Sequence, residues 1–170
     1  DLRVQCTYHL LKMDLDGVAI GGEIIGFNME KTKNLLRLIV PLLPSDRPRY
    51  TMGVGLCPQD LIDVVKEGVD LFDCVAPTRN ARHGALYHGT VVPDGDWFRF
   101  DVQGEEKGRL LIKKQIYRKD ERPILDGCAC STCKQYSRAY LHFLFKTQSP
   151  AYFHLASIHN VHLMQEVCRV

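Results

Sequence analysis

The chain has 170 residues, 45% hydrophobic and 25% charged, which supplies the core of one ordinary domain and excludes a disordered or membrane-embedded composition. A formal net charge of +2 excludes a strongly basic overall field, so contact with nucleic acid has to come from local patches. No stretch has the apolar length of a membrane helix and Asp1-Leu2-Arg3 opens no secretory signal, so a cytosolic protein without membrane contact is expected.

Leu2, Cys6, Leu10 and Met13 recur at helical intervals and predict a short helix within residues 1–16, which delivers the chain to an apolar strand, Val18-Ala19-Ile20. That strand ends in Gly21-Gly22. Paired glycines let a backbone approach a flat ligand closely and leave N–H groups to donate, although alone they usually mark only a turn. Asn28 is placed to cap a helix running through Asn34 to about Leu43, where Pro44 to Pro48 stop it. A second strand is expected over Tyr50–Gly55, and a helix opens at Pro58 and closes at Gly68. A third strand, Leu71–Val75, follows. Strand, helix, strand, helix, strand with short connections predicts parallel βαβ units whose function lies at the C-terminal ends of the strands.

The third strand carries one carboxylate, Asp73, within GVDLFDCVAPTRNARHG. An ionised carboxylate is costly to bury unpaired, so Asp73 fits the strand's exit, facing a pocket. The chain is then expected to break into a Pro-Thr-Arg loop, with Arg79 and Arg82 supplying guanidinium forks suited to phosphate. Composition alone allows a plainer account, a turn-forming Asp with ion-pair partners. Further on, Val92 to Trp97 reads as the centre of an extended β-hairpin between His88 and Glu106, with Pro93-Asp94-Gly95 at the turn.

Of seven cysteines, Cys128, Cys130 and Cys133 crowd into C-x-C-x-x-C, a spacing that favours metal binding over a disulfide framework. Three thiolates need a fourth ligand, for which His142, His154, His159 and His162 are the candidates on spacing. A helix is expected through Ser137–His142, and a second one opening at His159.

FDCVAPTRNARHG resembles the nucleophile segment of the tRNA-guanine transglycosylases, also called queuine tRNA-ribosyltransferases, with their FDCV-x-PTR pattern followed by a second Arg. DGVAIGG resembles the family's base-binding DG-x-A-x-GG, PRYTMGVG its PRYLMGVG, and YSRAYLH its YSRAYLHHL. The resemblance implies the C-terminal part of a (β/α)8 TIM-type barrel with an inserted β-hairpin region and a zinc-binding helical subdomain: last βα units over 1–84, hairpin extension over 85–127, zinc subdomain over 128–170. It implies exchange of guanine at the anticodon wobble position of transfer RNA for a 7-deazaguanine base, queuine or its precursor, through a covalent Asp73-ribosyl intermediate in queuosine modification. Gly21, Gly22, Met52 and Gly53 would hold the base, and Arg79 and Arg82 the anticodon loop. The family's metal ligand in an HN dipeptide corresponds to His159-Asn160, giving zinc on Cys128, Cys130, Cys133 and His159. A homodimer, or a heterodimer with a related subunit, is the expected assembly. The resemblance begins well inside the family sequence, so the 170-residue chain by itself is expected to be inactive. The family's GG-L-A-V-G-E is replaced by Gly22-Glu23-Ile24-Ile25-Gly26-Phe27, which leaves the choice of base open. A non-catalytic accessory subunit, which would have lost FDC-x-x-PTR, and a plain zinc-stabilised RNA-binding fragment are the alternatives.

Overall fold

The computed structural model describes residues 1–22, 25–26, 28–103 and 108–169, which form two compact units, Asp1–Cys74 and Val75–Val170. The departure at Glu23, Ile24 and Phe27, and residues 104–106 of the expected hairpin region, lie outside the described residues.

In the first unit, α1 (Leu2–Leu10) starts on Asp1, whose carboxylate accepts the Arg3 N–H at 2.8 Å. It ends before the expected residue 16, because Asp14, Asp16 and Gly17 give the helix no further apolar stripe and the chain turns at Leu11. Strand β1 (Val18–Ile20) leads to α2 (Met29–Ile39), capped by the Asn28 side chain accepting from the Lys31 N–H at 3.0 Å and prolonged by a 3-10 turn, Val40–Leu42. Strand β2 (Arg49–Met52) is followed by α3 (Pro58–Lys66), which starts with Pro58 and the Asp60 carboxylate on the Cys57 N–H. Strand β3 (Leu71–Asp73) completes a parallel sheet in the order β1-β2-β3.

Both later strands are shorter than the sequence suggests. Gly53 takes a positive φ of 77°, a conformation that ends β2 at Met52 rather than Gly55. β3 stops at Asp73 rather than Val75 because the following residues wind into a helix. Val18, Ile20 and Thr51 are buried together with Leu36, Ile39, Leu61 and Val64, so the unit's core lies on the helix-covered side of the sheet. The period of two puts Tyr50, Met52, Leu71 and Asp73 on the opposite face, where Met52 and Leu71 remain 46% and 54% exposed.

The second unit opens on α4 (Ala76–Arg82). The expected Pro-Thr-Arg loop is therefore the first turn of a helix, since Pro77 is tolerated where helical N–H groups have no partner. Strands β4 (Ala85–Tyr87) and β7 (Arg109–Leu111) pair antiparallel, and between them β5 (Gly89–Asp94) and β6 (Trp97–Val102) form a hairpin closed by Gly95-Asp96. A 3-10 helix (Gln115–Lys119) and three α-helices follow: α5 (Ser131–Gln135), α6 (Arg138–Lys146) and α7 (Pro150–Val167). Their core is built from Leu86, Leu110, Ile112, Ile124, Leu141 and Tyr152. No second helix opens at His159, which sits in the middle of α7. Tyr152, Ala156, Asn160, Leu163 and Val167 are buried at helical spacing and carry the same helix straight through it.

Arg138, part of the Tyr-Ser-Arg-Ala motif, is the polar hub of this unit. Its guanidinium is buried and donates to the Pro123 carbonyl (2.7 Å), the Ile124 carbonyl (2.9 Å) and Asp120 Oδ2 (3.1 Å), while His88 Nε2 lies 3.2 Å from Nη2. Since Arg can only donate, His88 Nε2 accepts, and its Nδ1–H donates to the Gln103 carbonyl at 2.7 Å. Burial pushes the His88 pKa down, in keeping with this neutral tautomer. Hydrogen bonds from Arg122, then from Arg138, hold the Asp120 carboxyl far below its ordinary value. A carboxyl depressed in the folded state contributes stability that is complete above the unfolded value, about 3.9, and fades as pH falls from there through the folded value. Arg138→Ala is expected to cost about 2–3 kcal/mol, because it strands two carbonyls and leaves the Asp120 carboxylate with Arg122 as its remaining partner, and to shrink the loss of stability seen below about pH 4. Urea unfolding of both proteins between pH 7 and pH 3 measures both effects; Arg138→Lys, with one compact ammonium, should not restore the lost stability.

Candidate functional site

The C-terminal ends of the three parallel strands bring most of the expected base-site residues together. Met52 is the register partner of Asp73, and Gly21 follows β1 with the space beside its α-carbon 3.7 Å from Met52 Cε. Gly53 turns under them and donates its N–H to the Asp73 carbonyl at 2.9 Å. Gly26 passes against the Gly53 carbonyl so closely that any side chain would collide with it. Arg3 reaches from α1 to donate to the Gly21 carbonyl at 2.9 Å and lies over Gly22. The Asp73 side chain is exposed and accepts a hydrogen bond at Oδ1 from the Tyr50 hydroxyl. Tyr50 was not singled out in the sequence, although it stands two residues before Met52 and the strand period puts both on one face. Arg79 and Arg82 lie on α4, in the second unit, where both are exposed.

The second cluster is the thiol knuckle. Leu125 to Cys128 make a turn, with Gly127 at a positive φ of 78° and the Cys128 N–H donating to the Leu125 carbonyl. Cys130 caps α5, its Sγ accepting the Cys133 N–H at 3.3 Å, so the two sulfurs are fixed by one helix start. His159 Nδ1 lies 3.8, 3.7 and 3.3 Å from the sulfurs of Cys128, Cys130 and Cys133, and the four donor atoms all fall within 4.8 Å of one another. A tetrahedral ion with sulfur at about 2.3 Å and nitrogen at about 2.0–2.1 Å needs sulfur–nitrogen separations of about 3.6 Å, so the donor set fits a metal of that type. His159 Nε2–H donates to the Tyr87 carbonyl at 2.8 Å, which leaves Nδ1 with its lone pair toward the sulfurs. Hydrogen bonds from Cys128 and Cys133 hold the Cys130 thiol far below the ordinary thiol value, while Cys128 and Cys130 push Cys133 up. A divalent ion bound there would favour the deprotonated form of the sulfurs that ligate it.

Of the other histidines, His142 is buried but hydrogen-bonded through Nδ1–H to the Ile112 carbonyl at 2.7 Å, and neither it nor His154 nor His162 joins the cluster.

Asn160, beside the ligand, is a further residue that spacing did not reveal as structural. Fully buried, it accepts the Tyr87 N–H at 2.9 Å and donates to the carbonyls of Pro77 (2.9 Å) and Ala85 (3.1 Å), tying the ligand helix to the start of α4 and to β4. Asn160→Asp replaces the donor by an oxygen facing two carbonyls and is expected to cost about 2–4 kcal/mol. Denaturant unfolding checks this, with bound metal measured in parallel; an unchanged midpoint would remove Asn160 from the list of anchors.

The family model described as queuine tRNA-ribosyltransferase matches residues 1–170. A queuine tRNA-ribosyltransferase of Helicobacter pylori (strain P12) is 42% identical over 154 residues, covering 91% of this chain and 37% of that protein. The protein of the same name from Helicobacter acinonychis is 43% identical over 157 residues, with coverage of 91% and 37%, and that from Syntrophobacter fumaroxidans 41% over 162 residues, with 95% and 39%. The chain thus spans 37–39% of the length of these relatives. Among the described residues, no helix is long and apolar enough to cross a membrane. A family match over every residue, on a chain that brings an exposed Asp73 to Met52 and Gly21 and gathers Cys128, Cys130, Cys133 and His159, makes this chain a member of the queuine tRNA-ribosyltransferase family.

Proposed function

We propose that the chain is the C-terminal part of a (β/α)8 barrel enzyme that exchanges guanine at the wobble position of transfer RNA for a 7-deazaguanine base in the cytoplasm. The observation that carries this is Asp73: a single exposed carboxylate at the end of a parallel strand, beside Met52 and Gly21. Active sites of parallel α/β folds sit at that end of the sheet. Asp73 attacks the anomeric carbon of the target guanosine, guanine departs with the electrons of the glycosidic bond, and the ribosyl ester is resolved by the incoming base. The groups at Gly21, Gly22 and Gly53 frame the base edge, Met52 lies against its face, and the anticodon bases are splayed out to reach them. Arg79 and Arg82 hold phosphates of the anticodon loop.

In this reading residues 1–84 serve the barrel, 85–127 extend it and 128–170 form the metal subdomain. Zinc is the resident ion of Cys128, Cys130, Cys133 and His159, and four protein ligands leave it no open position, so it cross-links the fold and does no chemistry. The enzyme works as a dimer with itself or a related subunit, a reading supported by the exposed Tyr140, Phe143 and Phe153 on α6 and α7. The test is incorporation of labelled guanine into transfer RNA by the full-length enzyme. Incorporation supports base exchange, whereas transfer-RNA binding without incorporation would mark a binding module or accessory subunit.

A further inference from the structure

The parallel register pairs Tyr50 with Leu71, which places Tyr50 diagonally across from Asp73 on the same exposed face of the sheet. From there its hydroxyl donates to Oδ1 of Asp73, and among the described residues of the first unit no other hydrogen bond reaches that side chain, which leaves Oδ2 to face the substrate. We propose that Tyr50 is the positioning residue of the nucleophile, holding Oδ1 so that Oδ2 attacks and receiving the returning carboxylate charge when the ribosyl ester breaks. The inference rests on Asp73 being the nucleophile.

The two halves of the reaction use this contact differently. In the first, Oδ2 forms a bond to the anomeric carbon as the glycosidic carbon–nitrogen bond breaks, its electron pair leaving with guanine, which takes up a proton. The carboxylate charge falls during this step, so the hydrogen bond to Oδ1 weakens, and Tyr50 orients the attack rather than drives it. In the second, the nitrogen of the incoming base forms its bond to the anomeric carbon and loses its proton to a base, while the electron pair of the carbon–Oδ2 bond returns to the carboxylate. That charge spreads to Oδ1, where the donor is already in place, and a donor aimed at developing charge stabilises the transition state. Asp73 raises the pKa of the Tyr50 phenol above its ordinary value, chiefly through this hydrogen bond, so Tyr50 stays protonated and able to donate throughout the neutral range.

Tyr50→Phe in the full-length enzyme tests the assignment. Turnover is expected to fall about 10- to 100-fold, less than the roughly 10²- to 10³-fold seen on removing a fully desolvated oxyanion donor, because this face is open to water. The KM for transfer RNA should hold, and the fraction of enzyme trapped as covalent adduct on a denaturing gel should rise, since breakdown slows more than formation. Unchanged turnover and adduct would overturn the proposal. So would a parallel fall of turnover and adduct with loss of the native unfolding midpoint, which assigns Tyr50 to the fold alone. A second measurement does not depend on the variant folding: ultraviolet titration of tyrosines in the wild type and in Asp73→Asn. One phenol should titrate at lower pH once the Asp73 charge is gone, and identical titrations would show that the contact is absent in solution. An adduct that persists in Asp73→Asn would fell the nucleophile assignment and the Tyr50 role with it, whereas loss of that adduct with normal behaviour of Tyr50→Phe fells only the latter.

Discussion

Asp73→Asn in the full-length enzyme is expected to abolish the proposed base exchange and to leave transfer-RNA binding largely intact. An amide copies the shape of the carboxylate without its charge or nucleophilicity, so the ribosyl ester cannot form and guanine would have to be displaced by a free base unaided. The fold tolerates the change because Asp73 is exposed, and its structural tie to Gly53 runs through the backbone carbonyl, which the substitution keeps. Turnover should fall to the detection limit and the covalent band on a denaturing gel should vanish. Arg79→Ala is expected to behave oppositely: if Arg79 holds a phosphate as proposed, binding should weaken and the salt dependence of log affinity should drop by about one unit, while bound substrate still forms adduct. Affinity at two salt concentrations and the trapped band, measured on both variants, separate chemistry from binding. A band retained in Asp73→Asn would move the nucleophile elsewhere.

Removal of the metal is expected to unfold the second unit. Structural zinc in small thiolate sites contributes about 10–16 kcal/mol of apparent binding energy at pH 7, comparable with or larger than the whole stability of a typical domain, about 5–15 kcal/mol. Here an ion on the four donors would join the 128–133 knuckle to α7, and α7 in turn packs on α4, α5, α6 and β4, so its loss would free the ends of most of the unit. Protein purified without added metal should carry one equivalent of zinc. A strong chelator should erase much of the helical circular dichroism and expose the core built on Leu86, Ile112 and Tyr152, and re-added zinc should restore both. Less than half an equivalent bound, or a coordination sphere without His159, would sink the ligand assignment. Because the sulfurs must be deprotonated to bind, the metal should also be lost more readily as pH falls.

Several features of this fold were legible in the chain because they are local. Asn28 and Pro58 announce helix starts by satisfying or lacking the N–H groups that a first turn cannot pair, and both do so in the structure. The C-x-C-x-x-C spacing is local in the same sense, since one turn and one helix start bring its sulfurs together. The family's sequence pattern supplied His159 where spacing left four histidines open, and the geometry of the cluster agrees. Local signals misled where a nearby backbone conformation overrode them: positive φ at Gly53 cut β2 short, and Pro77 read as a loop former although a helix accepts it in its first turn.

What only the tertiary structure decided concerns partners far apart in sequence. Tyr50 meets Asp73 because the β2–β3 register puts them on one face, 23 positions apart along the chain. His159 finds Tyr87 72 positions away, and Asn160 finds Pro77 83 positions away, because α7 is long enough to cross the unit with one buried stripe. Arg138 serves carbonyls at Pro123 and Ile124 that nothing in its own helix marks as acceptors. A residue's type states which hydrogen bonds it must make, and burial makes leaving them unmade costly, but the identity of the partner is set by register and helix packing. The sequence therefore marked Asp73 as the candidate nucleophile and three cysteines as candidate metal ligands, and the tertiary structure decided which partners hold each of them in place.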